Sequence, residues 1–112
     1  MNELSSRKCQ PCDGATPALT AAAAAQLLKQ VSTAWVLTES AHAIRREFAF
    51  RDFYRTMSFV NALAHVANIE DHHPDLEVGY NYCRVTFTTH AIRGLSENDF
   101  VCAAKLDLIP LG

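Results

Sequence analysis

Long apolar runs, a large excess of one charge sign and a second C-x-x-C are all missing from this 112-residue chain. No stretch reaches the roughly 18–20 apolar residues that a membrane helix needs, so a helical membrane span is not expected. Ten Lys and Arg against twelve Asp and Glu leave a formal charge of −2. That balance lacks the clustered basic face through which proteins hold nucleic acid. The four cysteines do not read as a disulfide framework. Cys83 and Cys102 fall inside apolar patterns, where a reduced cysteine behaves as a small hydrophobe. Cys9 and Cys12 form a lone C-x-x-C. Neither a second C-x-x-C nor an H-x(3–5)-H is present to complete a structural zinc site. Internal repeats are lacking too. The alanine tract at 21–25, with Cys9, Cys12 and Asp13 before it and Gln26 and Lys29 after it, reads as a helix start rather than a signal peptide. A cytoplasmic protein is therefore expected.

What is present suits one domain with one core: 49% apolar and 20% charged residues over 112 positions. Residues 1–18 carry Ser, Lys, Gln, Asp, Gly and two prolines without periodicity and read as a poorly ordered arm. The folded domain is expected over 19–112. Thr20 is a candidate N-cap for a helix over 21–31 with Leu27, Leu28 and Val31 as its stripe. Trp35-Val36-Leu37 begins a short strand, and Glu39-Ser40-Ala41-His42 is a turn. Ile44, Arg46, Phe48 and Phe50 then alternate with Arg45, Glu47, Ala49 and Arg51, the period of a half-buried strand. Arg45, Arg46 and Arg51 read as a solvated strand edge. Asp52 caps a long helix over 53–70, whose stripe runs through Phe53, Met57, Val60, Ala64 and Ala67, widened by Phe59, Leu63 and Val66. A loop over 75–79 leads to a strand from Tyr80 to Thr89 with Cys83, Val85 and Phe87 on one face. Gly94 interrupts the chain, Ser96 and Asp99 have capping-box spacing, and a last helix follows over 97–108. The order predicts an α+β domain, an antiparallel sheet with helices on one face.

The chemistry concentrates where the long helix must stop, at Glu70-Asp71-His72-His73-Pro74. Proline cannot continue the helix and biases His73 away from helical geometry, so the two imidazoles diverge. A third imidazole, His90, follows the strand. Histidine is the side chain that gives or takes a proton near neutrality, with an unperturbed pKa of roughly 6.5. The plainer reading is that His72 and His73 complement the dipole at a helix C-terminus. His42, in a turn, and His65, on the side of the long helix, are expected to be structural, and Tyr80 and Tyr82 to be packing residues.

Glu70-Asp71-His72-His73-Pro74, then Tyr80-Asn81, then Thr88-Thr89-His90, then Gly94-Leu95-Ser96 and Asp99, together with Trp35 and Phe48-x-Phe50, resemble the pterin-4a-carbinolamine dehydratases over residues 19–109. The C-x-x-C arm resembles the amino-terminal extension of bacterial members. The resemblance implies four antiparallel strands with the helices on one face, the fourth hidden between Trp35 and Phe50 or near Leu76-Val78. It implies dehydration of 4a-hydroxytetrahydropterin to quinonoid dihydropterin, in recycling for aromatic amino-acid hydroxylases, with no metal or organic cofactor. Carried over by position, His72, His73 and His90 are the active-site histidines, and Asp99 matches the aspartate beside the third. Asp71, Thr88, Thr89 and Ala91 lie where members hold the pterin. His72 and His90 are expected to flank the departing hydroxyl, His73 to share the proton transfer or fix the ring, and Asp99 to orient His90. Two departures stand out: Leu76 replaces a frequent tryptophan, and Ala91-Ile92-Arg93 varies the segment before Gly94. The resemblance further implies a homo-oligomer, a dimer before a tetramer. Two other readings are a binding or assembly module, for a hydroxylase or a molybdenum-cofactor enzyme, and a metal site from Cys9, Cys12, His72 and His73.

Overall fold

The structure, a computed structural model, describes residues 4–38 and 40–111. Residues 1–3 of the expected arm, Glu39 of the expected turn and Gly112 at the domain's end lie outside the described residues. Three α-helices and four strands follow in the order α1 (Ala21–Leu28), β1 (Val36–Leu37), β2 (Ile44–Ala49), α2 (Phe53–Glu70), β3 (Asp75–Val78), β4 (Tyr82–Phe87) and α3 (Glu97–Leu106). The strands form one antiparallel sheet in the order β1-β2-β4-β3. This is the expected α+β fold.

Alternation decides which side of the sheet is covered. Ile44 and Phe48 of β2 and Cys83, Val85 and Phe87 of β4 are buried, and the register sets Ile44 opposite Phe87 and Phe48 opposite Cys83. Phe59 of α2 packs its ring 4.4 Å from that of Phe48, and Trp35 lies edge-on to Phe48 and 5.9 Å from Phe87. The helices thus sit on the apolar face. The opposite face carries charges instead: Arg84 meets Glu47 at 2.6 Å and Glu77 at 3.4 Å.

Several expected boundaries and faces shift, each for a local reason. Helix α1 ends at Leu28, because the N–H groups of Lys29, Gln30 and Val31 turn to carbonyls three residues back and tighten the chain into a 3-10 turn. Thr20 caps it as expected, accepting from the Ala23 N–H at 3.1 Å. Helix α2 has its expected bounds and its Asp52 cap. Its buried stripe, however, is Thr56, Phe59, Leu63 and Ala67, whereas Phe53 is 48% exposed. Thr56 takes the inner place because its hydroxyl donates to the Asp52 and Tyr80 carbonyls, both at 2.9 Å. The 75–79 loop is mostly strand β3, pairing Leu76 with Val85 and Val78 with Cys83. All four of its residues are exposed, so no burial pattern marked it. Arg46 is not on a solvated edge. Strand β2 is interior, and the guanidinium reaches Asp107 at 2.6 Å, where the Trp35 indole N–H also donates at 2.7 Å.

The largest difference concerns the amino-terminal segment. Leu4 is fully buried in the main core and a short 3-10 turn, Leu4–Ser6, packs against α3. Burying one such side chain contributes about 1.5–3 kcal/mol, which offsets the ordering of about one or two residues. Polar contacts hold the rest of a segment that composition alone marked as loose. Arg7 pairs with Glu97, and the Cys9 N–H donates to Glu70 at 2.9 Å. Residues 4–12 are therefore docked.

Candidate active site

Helix α2 stops at Glu70 because Asp71 adopts the left-handed conformation, φ 51° and ψ 42°, and its N–H closes on the Ala67 carbonyl. Aspartate tolerates this region better than most residues with a Cβ. The His72 N–H also reaches the Ala67 carbonyl, at 3.2 Å. Beyond it Pro74 disfavours helical geometry at His73. The reversal turns His72 inward, its ring parallel to Phe87 with centroids 6.0 Å apart, and leaves His73 outside, its Nε2 at 3.1 Å from the Asn68 carboxamide oxygen.

Across from this corner, β4 ends at Phe87 and the chain makes a loop closed by a bridge between Thr89 and Gly94. A short 3-10 turn, His90–Ile92, lies inside the loop, and Arg93 takes a left-handed φ of 52° to end it. Gly94 is required there by proximity, since a Cβ would lie 2.8 Å from that of Ala18. Thr88 donates to the His42 carbonyl at 2.6 Å, which gives the His42 backbone a part in shaping the loop. His65 stays exposed on α2.

The buried centre of the site is Asp99, wholly shielded on the first turn of α3. Its Oδ2 accepts the Ser96 N–H at 2.9 Å, closing the expected capping box, and the Thr89 hydroxyl at 2.8 Å. Its Oδ1 lies 2.6 Å from His72 Nε2. A carboxylate can only accept, so Nε2 carries the proton and Nδ1 is the nitrogen free of Asp99. The expectation that Asp99 orients His90 is therefore corrected: it orients His72. Asp99 lies beneath the end of α2, and His90 sits on the rim, three-quarters exposed, with Asp75 as its nearest acid at 4.0 Å.

Asp71, His72, His73, Thr88, Thr89, His90 and Ala91 all line one pocket of about 410 Å³. Every residue expected at the substrate is on its wall, and Asp99 stands behind His72. Leu76 is not among the lining residues. Four residues not expected at the substrate complete the wall: Gln10, Pro11 and Cys12 from the amino-terminal segment, and Asn98. The unassigned C-x-x-C and the Asn98 inside the capping motif were the available signals. Among the described residues no three His, Cys, Asp or Glu side chains gather to hold a metal ion. Cys9, Cys12, His72 and His73 thus do not converge as ligands.

Other thiols are placed away from the pocket. Burial pushes the Cys83 thiol up to about 11. The Cys102 thiol is raised by its contact with Cys9, 3.5 Å between sulfurs, and by burial. Glu70 goes the other way. Burial favours its neutral form, but the Cys9 N–H, the Lys105 bond and the charges of Lys105 and Lys8 together outweigh it and hold the carboxyl below its usual range.

The structure defines a class: an α+β domain whose sheet and helix ends gather imidazoles and a buried aspartate around one pocket. The family model described as Pterin 4 alpha carbinolamine dehydratase matches residues 17–109. A Legionella pneumophila (strain Corby) protein, named provisionally as a pterin-4-alpha-carbinolamine dehydratase, is 57% identical over 106 residues, covering 95% of this chain and 94% of its own length. A similarly named Nitrosomonas eutropha protein is 55% identical over 107 residues, covering 96% and 93%. Among solved structures, a transcriptional coactivator/pterin dehydratase from Brucella melitensis superposes with a TM-score of 0.75 at 32% identity, covering 80% of this chain and 94% of that one. A pterin dehydratase-like protein identified as a RuBisCO assembly factor in the α-carboxysome aligns with a TM-score of 0.58 at 25% identity, covering 66% and 86%. The chain belongs to the pterin-4a-carbinolamine dehydratase family.

Proposed function

We propose that the protein is a hydro-lyase that converts 4a-hydroxytetrahydropterin to quinonoid dihydropterin and water, recycling tetrahydropterin for aromatic amino-acid hydroxylation in the cytoplasm. The observation that carries this reading is the convergence of His72, His73 and His90 on one pocket with Asp99 behind His72. In the reaction the C4a–O bond breaks as the leaving hydroxyl takes a proton, and the N5 proton is removed. Both transfers suit imidazoles, and general acid–base assistance typically supplies about 10²–10⁴-fold. His72, whose Nε2 proton is given to Asp99, presents a ring fixed in tautomer and plane. His90, on the exposed rim, exchanges protons with water, and His73 shares the transfer or fixes the ring. Asp71, Thr88, Thr89 and Ala91 supply polar and backbone contacts for the flat heterocycle. These roles need no bound metal or organic cofactor. A homo-oligomer, a dimer first, accords with the exposed edge strand β3, whose Leu76 and Val78 are 37% and 41% accessible.

A second reading is a binding or assembly module, favoured by the likeness to the protein identified as a RuBisCO assembly factor. Following the decay of freshly generated 4a-hydroxytetrahydropterin with and without the purified protein separates the two. Acceleration well above the uncatalysed decay is expected. Decay at the background rate would leave the module as the standing account.

A further inference from the structure

The pocket has a wall that the histidines and threonines do not build. Two sides come from the end of α2 and the loop after β4. A third comes from Gln10, Pro11 and Cys12, a stretch that neither the sheet nor the core requires. Gln10 and Pro11 are exposed and Cys12 is half-buried, so their placement is not explained by apolar burial. Leu4 already anchors the segment.

What places them is Asn98. Its carboxamide is buried, 7% exposed as a residue, and reads the Gln10 backbone in both directions. The Gln10 N–H donates to Oδ1 at 2.9 Å, and Nδ2 donates to the Gln10 carbonyl at 2.6 Å. Nδ2 also lies 3.5 Å from the Cys12 sulfur. One residue earlier, the Cys9 N–H is held by Glu70 at 2.9 Å, and Glu70 is itself paired with Lys105 at 3.3 Å. Asn98 is the neighbour of Asp99, which fixes His72. One rigid helical turn thus sets both an imidazole and the facing wall.

We propose that residues 9–12 are a strap completing the pterin pocket, in which Gln10 and Cys12 select the substituent carried by the ring and Asn98 is the positioning residue that holds the strap. This rests on the dehydratase-family reading of the pocket. A pterin ring presents nearly the same hydrogen-bonding edge whatever it carries, so discrimination must come from its substituent at C6. A carboxamide, a thiol and backbone groups on a short polar strap suit a hydroxylated side chain better than a methyl group.

The test is binding and turnover with the full chain. Alkylation of Cys12 by iodoacetamide, read by mass spectrometry, is expected to slow when 7,8-dihydrobiopterin is bound. Equilibrium dialysis of Asn98→Ala and of Cys12→Leu is expected to show about 3–10-fold weaker binding of 7,8-dihydrobiopterin, the range of one net hydrogen bond. Binding of 6-methyl-7,8-dihydropterin should change less. In turnover Asn98→Ala should raise KM and leave kcat within about two-fold, a split that general loosening of the fold would not give. Cys12→Leu alters the wall and leaves the Asn98 latch in place, so it decides the matter if Asn98→Ala does not fold. Unchanged discrimination between the two pterins, or Cys12 alkylation indifferent to dihydropterin, overturns the strap. Protection of Cys12 in a protein that does not accelerate dehydration would retain the strap and remove the dehydratase reading.

Discussion

Oδ2 of Asp99 serves the cap of α3 and Oδ1 serves His72, so the two duties can be separated by one isosteric change. Asp99→Asn keeps an acceptor for the Ser96 N–H and the Thr89 hydroxyl but turns an amide N–H toward His72 Nε2. The imidazole must then give up its Nε2 proton to remain bonded, which reverses its tautomer. The expected outcome is a fall in kcat of about 10²–10⁴-fold, measured beside urea unfolding that stays close to wild type. Asp99→Ala should add a loss of about 1–3 kcal/mol, because buried donors lose their acceptor. A folded Asp99→Asn with undiminished kcat would dissociate Asp99 from the chemistry. The capping role was readable from Ser96-x-x-Asp99, since spacing on one helix determines that contact. The histidine partner was not. His72 and His73 are adjacent, and the left-handed turn at Asp71 decides which ring points inward.

At the scale of elements, local signals served best where one helix or strand contains its own pattern. The bounds of α2 and the alternation of β2 were legible because a cap, a proline and burial on a single face mark them. Strand β3 was not, since an exposed edge imposes no apolar period. Asp107 was missed for a different reason. It is the C-cap of α3, yet its partners Ser32, Trp35 and Arg46 are brought to it only by the tertiary fold. Glu70 at the end of α2 has the same character, joining the amino-terminal segment to α3 through Cys9 and Lys105. Its pKa is lowered in the folded protein relative to 4.5, so the unfolded chain binds the proton more readily. The associated stability is present above about pH 4.5 and drains away as the pH falls through the lower folded value. Urea unfolding across the acid range should therefore decline less steeply for Glu70→Gln than for wild type. Identical acid limbs would show that the carboxylate contributes nothing to holding the segment.

For the molecule as a whole, the sheet and helices bring two sequence-distant corners together, the end of α2 and the loop after β4, and the amino-terminal segment covers the gap. The histidines and threonines were legible because their motif carries a family resemblance. The wall of Gln10, Pro11 and Cys12 was not, because a polar segment held by one buried asparagine has no periodicity to reveal it. In the proposed function His72, held by Asp99, moves a proton at the pterin. That claim is tested most directly by stopped-flow decay of 4a-hydroxytetrahydropterin with wild type, His72→Ala and His65→Ala, the last replacing an exposed imidazole of α2 that does not line the pocket. Wild type and His65→Ala should accelerate dehydration equally, with His72→Ala lower by about 10²–10⁴-fold while still folded. A folded His72→Ala that matches wild type would contradict the account.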